Sequence, residues 1–318
     1  MDTQTTAATA ITVDTILERY ERECLDELAP RTSRDYRRHI GHLRRRFGPL
    51  DATLLEPRDF ADFLNIRRGK IQRVRQLAVL SAAFTIAVRR WFWLKVNVLR
   101  DVERPKSKPR DRLILDEEFA ACKALAPLRV QLAMQLALLT GQRQGDIIRF
   151  RWADIREMTL DGRKFHELHV FQSKTSKRLA IEVTPELEAV LDQCWQLKGG
   201  GHLGSEYVIP TRTGKPYTSE GFRACWQRVR VKWERSGGEP LHFHDIRALA
   251  ATKCPTLEMA QQLLGHTSSA MTRRVYRRGV ERVKPLRLNP PTQQVRTDDV
   301  HRGHQMGSRH PAPPTGPT

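Results

Sequence analysis

Apolar side chains recur at helical spacing through most of this chain, and at a period of two in one region only, Phe165–Phe171 and Arg178–Val183. That change of period limits the fold more than any other feature. Two short alternating runs with Lys174-Thr175-Ser176-Lys177 between them read as an antiparallel hairpin. The segments around it read as helix. Ile16, Leu17 and Tyr20 open one apolar stripe, Tyr36, Ile40 and Leu43 a second, and Pro57–Ile66 forms a third. A fourth helix, Lys70–Trp93, carries Val74, Leu77, Leu80 and Phe84. Pro127–Leu139 is apolar nearly all round and reads as a buried helix, preceded by Asp116 as an N-cap with Glu117 and Glu118 behind it. Helices resume at Pro185, with a short strand at Tyr207–Ile209. The expected class is mainly α with a small antiparallel β-sheet, an α+β fold.

The segment Asp101–Arg112, DVERPKSKPRDR, has two prolines, many charges and no apolar period, so it reads as a linker. It separates a helical unit, 13–100, from a second domain, 113–286. The Thr/Ala-rich residues 1–12 and the Pro-, His- and Arg-rich residues 287–318 are expected to be disordered.

Charge narrows the partner class. Lys and Arg number 55 against 36 Asp and Glu, a formal +19 over 318 residues, and such a surplus draws polyanions and makes association salt-sensitive. Basic residues flank the fourth helix at Arg67, Arg68, Lys70, Arg73 and Arg75 on one side and at Arg89 and Arg90 on the other. A solvated charged face is the bland alternative. A membrane partner is not expected: the longest apolar run, Leu77–Val88, falls short of the ~20 residues needed for a span, and the start MDTQTTAATA has no signal-peptide pattern. Cys24, Cys122, Cys194, Cys225 and Cys254 show no CxxC pairing, which fits buried thiols in a reducing cytoplasm rather than disulfides or zinc.

Three segments carry candidate chemistry. In Leu139-Thr140-Gly141-Gln142-Arg143 a helix ends on a glycine suited to positive φ, and Arg143 follows as an anion clamp, with Asp146 one turn on to hold it. An ordinary surface arginine fits that segment alone. His244 and Arg247 stand three apart, so on a helix they share a face that can address two oxygens of one phosphate; a capping histidine beside an exposed arginine is the plain reading. Gly265-His266 follows another helix end, and Tyr276 stands among Arg273, Arg274, Arg277 and Arg278, where positive charge favours the phenolate. A DNA-contacting patch fits those arginines equally.

The order Arg143, Lys174, His244-x-x-Arg247, Gly265-His266, Tyr276 resembles the catalytic series of the tyrosine recombinase (phage integrase) family. Arg151-Trp152-Ala153-Asp154-Ile155, and Thr213-Gly214-Lys215-Pro216 with Phe222 and Trp226, are similar to its flanking segments. The resemblance covers about 13–286. Two departures are Gln144-Gly145 after Arg143 and ten positions from His266 to Tyr276, one more than is common. The resemblance implies a SAM-like helical DNA-binding domain and a catalytic domain joined as a C-shaped clamp on double-stranded DNA. It implies a homotetramer on two sites, accessory DNA-bending or directionality factors, and a cytoplasmic place of action. By the same resemblance Tyr276 is the nucleophile forming a 3′-phosphotyrosine, and Arg143 and Arg247 stabilise the transition state with a hydrogen bond from His266. Lys174, with Lys177 as its competitor, protonates the leaving 5′-oxygen, and His244 assists Tyr276. No metal, ATP or other cofactor is implied. Phage or mobile-element integration is the preferred role; the alternatives are a catalytically silent DNA-binding protein of the same fold and a chromosome-dimer-resolving recombinase.

Overall fold

The computed structural model describes residues 10–66, 69–105, 112–197 and 204–273. The chain splits into two units, 1–110 and 111–318, each with its own apolar core.

The first unit is helical: α1 (Val13–Cys24), α2 (Pro30–Phe47), α3 (Pro57–Asn65) and α4 (Lys70–Arg89). Thr12 caps α1, its hydroxyl accepting from Thr15 N, while Pro30 and Pro57 start α2 and α3 where a missing N–H costs nothing. Of the two segments expected to be disordered, 1–9 and 287–318 lie outside the described residues, whereas Ile11 and Thr12 are held in place, Ile11 O accepting from Ala52 N and Thr12 pairing with Asp51. Among the described residues α4 is the one helix long and apolar enough to cross a membrane, contrary to the sequence expectation. Its Leu77, Leu80, Ala83, Phe84 and Ala87 are wholly buried, as in a core helix. It also stops at Arg89 rather than Trp93, since Phe92 takes a left-handed φ of 56°. Arg19 lies 4.7 Å from both the Trp91 and Trp93 rings, and Glu23 binds Arg19 and the Trp91 indole N–H, which fixes that corner. Of the segment read as a linker, Val102 is buried in this core and Arg104 donates to Leu99 O, while Arg112 joins the second unit by pairing with Glu118 and Glu239.

The second unit opens with α5 (Asp116–Ala124) and α6 (Leu128–Thr140). Leu115, not Asp116, occupies the N-cap of α5; the Glu118 carboxylate reaches back to Leu115 N at 2.9 Å and so shifts the cap by one position. The short α7 (Gln144–Ile147) leads to a three-stranded antiparallel sheet, β1 (Ile155–Leu160), β2 (Arg163–Gln172) and β3 (Lys177–Glu182), in sequence order. The expected class, mainly α with a small antiparallel sheet, is the one observed, and β1 is the strand that periodicity missed. Five of its six residues are exposed, so no alternation marks it. Along β2 the inward face holds Leu168, Val170 and Gln172. The chain continues through α8 (Pro185–Gln196), α9 (Ser219–Arg235), α10 (Phe243–Lys253), α11 (Leu257–Leu264) and the single turn α12 (Ser269–Met271). Tyr207, read as part of a strand, makes only an isolated bridge to Arg151.

Candidate active site

Helices α6 and α11 both end on a left-handed glycine, Gly141 and Gly265, each with φ of 64°. Helix ends leave carbonyls without intrahelical donors, and here three side chains supply them. Arg247, 1% exposed on α10, donates through Nη1 to Gly141 O and through Nη2 to Leu264 O at 2.5 Å. Gln142 Nε2 donates to Thr140 O and Leu263 O, both at 2.8 Å. Gln172 Nε2 reaches Leu264 O at 3.0 Å from the end of β2. A guanidinium tolerates this burial because the negative ends of two helix dipoles face it.

His266 begins the chain beyond Gly265 and is 5% exposed. Its Nε2 lies 3.2 Å from Arg247 Nη2 and its Nδ1 2.8 Å from Thr272 Oγ1. Guanidinium nitrogens only donate, so Nε2 is the acceptor and the imidazole proton sits on Nδ1, toward Thr272. Donation from Nε2 to a phosphate oxygen therefore needs the proton moved to that nitrogen and the Arg247 contact released. Burial first, then the charges of Arg247, Arg143, His244 and Lys177, push the His266 pKa down to about 4. His266 is thus neutral in the folded chain near pH 7. Because its folded pKa lies below its unfolded one, the unfolded chain takes up the proton first. This contribution to stability is complete above about pH 6.5 and is lost as pH falls toward 4, on the order of 3 kcal/mol in all. Urea unfolding from pH 7.5 to 4.5 should show a falling midpoint that flattens in His266→Asn; an equal slope in both chains would assign the acid sensitivity elsewhere.

Arg143 is the N-cap of α7, half-buried, and its buried Nη1 has no hydrogen-bond partner among the described residues. Asp146 does not hold it, contrary to the sequence expectation. Arg143 is extended, with φ −73° and ψ 150°, so the helical three-residue neighbourhood does not include it. Asp146 Oδ1 instead accepts from Ser173 N at 3.1 Å, Ser173 Oγ at 2.9 Å and Arg149 Nη2 at 3.2 Å. That contact fixes the start of the Ser173–Ser176 turn, on which Lys174 is exposed. Lys177 opens β3, and its charge is among those that lower the His266 pKa. His244 lies exposed in the first turn of α10 and also acts on His266. The structure thus gathers Arg143, His244, Arg247 and His266 into one electrostatic neighbourhood and sets Lys174 on the adjoining turn. Tyr276 lies outside the described residues.

Sequence reasoning missed Gln142 and Gln172. The available signal for Gln172 was an amide at an inward position of an alternating strand, in line with Leu168 and Val170. Among the described residues no group of three or more His, Cys, Asp or Glu is placed to hold a metal ion.

The model of the phage integrase family matches residues 116–281. The integrase of Escherichia phage HK022 is 30% identical over 285 residues, covering 84% of this chain and 76% of that protein. The integrase of Escherichia phage lambda is 31% identical over 285 residues, covering 82% and 75%. Among solved structures, a lambda integrase dimer bound to a COC′ core site aligns with a TM-score of 0.73 at 28% identity, over 86% of this chain and 99% of that one. A lambda integrase tetramer bound to a Holliday junction aligns with a TM-score of 0.72 at 27% identity, over 88% and 81%.

Proposed function

The chain belongs to the phage integrase family and is a DNA-cleaving and rejoining enzyme of that type; from that premise we propose that Arg143, Lys174, His244, Arg247, His266 and Tyr276 form its catalytic set. The observation that carries this is the buried Nη1 of Arg143, which meets no acceptor among the described residues, beside the Arg247–His266 pair. A buried donor without an acceptor costs free energy until one arrives, and a phosphodiester oxygen supplies it.

In this reading Tyr276 attacks the phosphorus, forms a 3′-phosphotyrosine and expels the 5′-oxygen, which takes a proton from Lys174. Charge growing on the non-bridging oxygens falls to Arg143 and Arg247, with His266 donating once its proton sits on Nε2. His244 positions the phosphate or takes the Tyr276 proton. The phosphotyrosine keeps the bond energy, so attack by a 5′-hydroxyl reverses the step without ATP. The net +19 charge supports a duplex as substrate. Lambda integrase in a tetramer on a Holliday junction supports four copies acting on two duplexes, and the phage relatives support integration or excision of a mobile element in the cytoplasm. Accessory bending or directionality factors belong to the same reading.

The test is a duplex carrying an attachment site, nicked beside the cleavage point so that the short released strand diffuses away and the adduct is trapped. Digestion and mass spectrometry should find the nucleotide on the peptide containing Tyr276, with and without EDTA. A nucleotide on another residue would displace Tyr276. No adduct on a site the protein demonstrably binds would leave a catalytically silent DNA-binding protein.

A further inference from the structure

Period two along β2 turns Leu168, Val170 and Gln172 to the interior, and the third of these is an amide, 0% exposed. The plain account of a buried glutamine is that its neighbours satisfy it, and here they do. What they are is informative. Gln172 Nε2 donates to Gln142 Oε1 at 2.7 Å and to Leu264 O at 3.0 Å, and its Oε1 accepts from Thr175 Oγ1 at 2.9 Å. Gln142 precedes Arg143, Leu264 stands two before His266, and Thr175 follows Lys174. One side chain therefore bonds to the neighbours of three groups assigned to the reaction, on three separate elements.

The junction is closely fitted around that amide. A Cβ at Gly265 would come within 2.8 Å of Gln172 Nε2 and 2.9 Å of its Oε1, at a φ of 64° that side chains rarely adopt. Ser173, the next residue, is held by Asp146. Two consecutive residues thus anchor the base of the turn immediately before Lys174. A lysine side chain is long and flexible, so it delivers a proton to one oxygen efficiently only if its backbone is fixed relative to the phosphate.

We propose that Gln172 is a positioning residue, whose amide locks the turn bearing Lys174 to the Arg143 and His266 segments and so aims the proton at the leaving 5′-oxygen. This rests on the reading of Lys174 as the general acid.

The experiment uses the full-length chain and two versions of the trapped duplex, one with the ordinary 5′-oxygen at the cleavage point and one with sulfur there. A thiolate leaves without being protonated, since a thiol is far more acidic than an alcohol. Sulfur therefore bypasses the acid. Lys174→Ala should cleave the oxygen duplex about 10²–10⁴-fold more slowly and recover on sulfur. Gln172→Met, which keeps volume but lacks the amide, should slow the oxygen duplex by about 10²-fold and recover most of that on sulfur. Thr175→Val removes one bond at an exposed position, so it guards against misfolding, and should show the same pattern at about tenfold. Arg143→Ala should stay slow on both duplexes. Gln172→Met and Thr175→Val equally slow on both, or as fast as the parent on oxygen, would overturn the proposal and leave Gln172 a packing residue. Recovery of Gln172→Met without recovery of Lys174→Ala would remove Lys174 as the acid and overturn the proposal as stated, leaving the Gln172 amide to aim a different proton donor. Failure of both to recover would overturn both readings.

Discussion

Arg247→Ala should destabilise the second unit by roughly 3 kcal/mol and reduce covalent adduct formation by about 10³-fold. Both effects come from one side chain. Its two Nη atoms donate to Gly141 O and Leu264 O, and Nη2 also contacts His266. Leu264 O keeps Gln172 as a donor after the substitution, whereas Gly141 O loses the donor that Arg247 gave it, and a guanidinium-sized void opens beside it. His266 loses the donor at its Nε2. Arg247→Lys should recover part of the stability but little of the activity, because one ammonium cannot span two carbonyls in fixed fork geometry. Urea unfolding beside adduct yield gives the measurement. An unchanged midpoint in Arg247→Ala would mean that the carbonyl contacts contribute little and that the residue serves the phosphate alone.

Arg143→Ala should separate the two effects. Adduct formation should drop about 10²–10³-fold, the usual scale for losing a preorganised donor at a developing oxyanion, while the unfolding free energy measured in urea changes by no more than about 0.5 kcal/mol. The asymmetry follows from its surroundings: Arg143 is half-buried at the start of α7 and its buried Nη1 meets no acceptor among the described residues. Removing it ends an unsatisfied donor rather than a bond. Stability could even rise slightly. A large fall in the midpoint would show Arg143 to be a structural residue, and unchanged adduct formation would remove it from the catalytic set. Its absence should also raise the His266 pKa, since Arg143 is among the charges that lower it.

Much of the fold was legible because the relevant information is local. Helical spacing located α1 to α4 and α6, and alternation located β2 and β3. Gly141 announced a helix end that needs positive φ and Gly265 a second helix end, and both residues have a positive φ. Where local signals were absent or ambiguous, reading failed: β1 is exposed on nearly every residue, the α5 cap moved by one position because Glu118 reaches back to Leu115 N, and the Lys70 helix stops short at a turn set by Phe92.

The candidate site divides the same way. The order of the charged residues, and the surplus of cations that points to a polyanion, are properties of the sequence itself. What each residue touches is not. Arg247 meets Gly141 O across 106 positions and Gln172 meets Leu264 O across 92, contacts that no local spacing encodes. A carbonyl left over at a helix end is visible from sequence, but the donor that satisfies it is whichever side chain tertiary packing brings there. Packing also drew Asp146 away from Arg143 to the Lys174 turn and gave the neutral state of His266, since both depend on burial and on charges from other elements. The sequence by itself determined which elements form and which residues carry charge. Only the tertiary structure decided which helix ends meet, and therefore which polar groups must satisfy one another away from water.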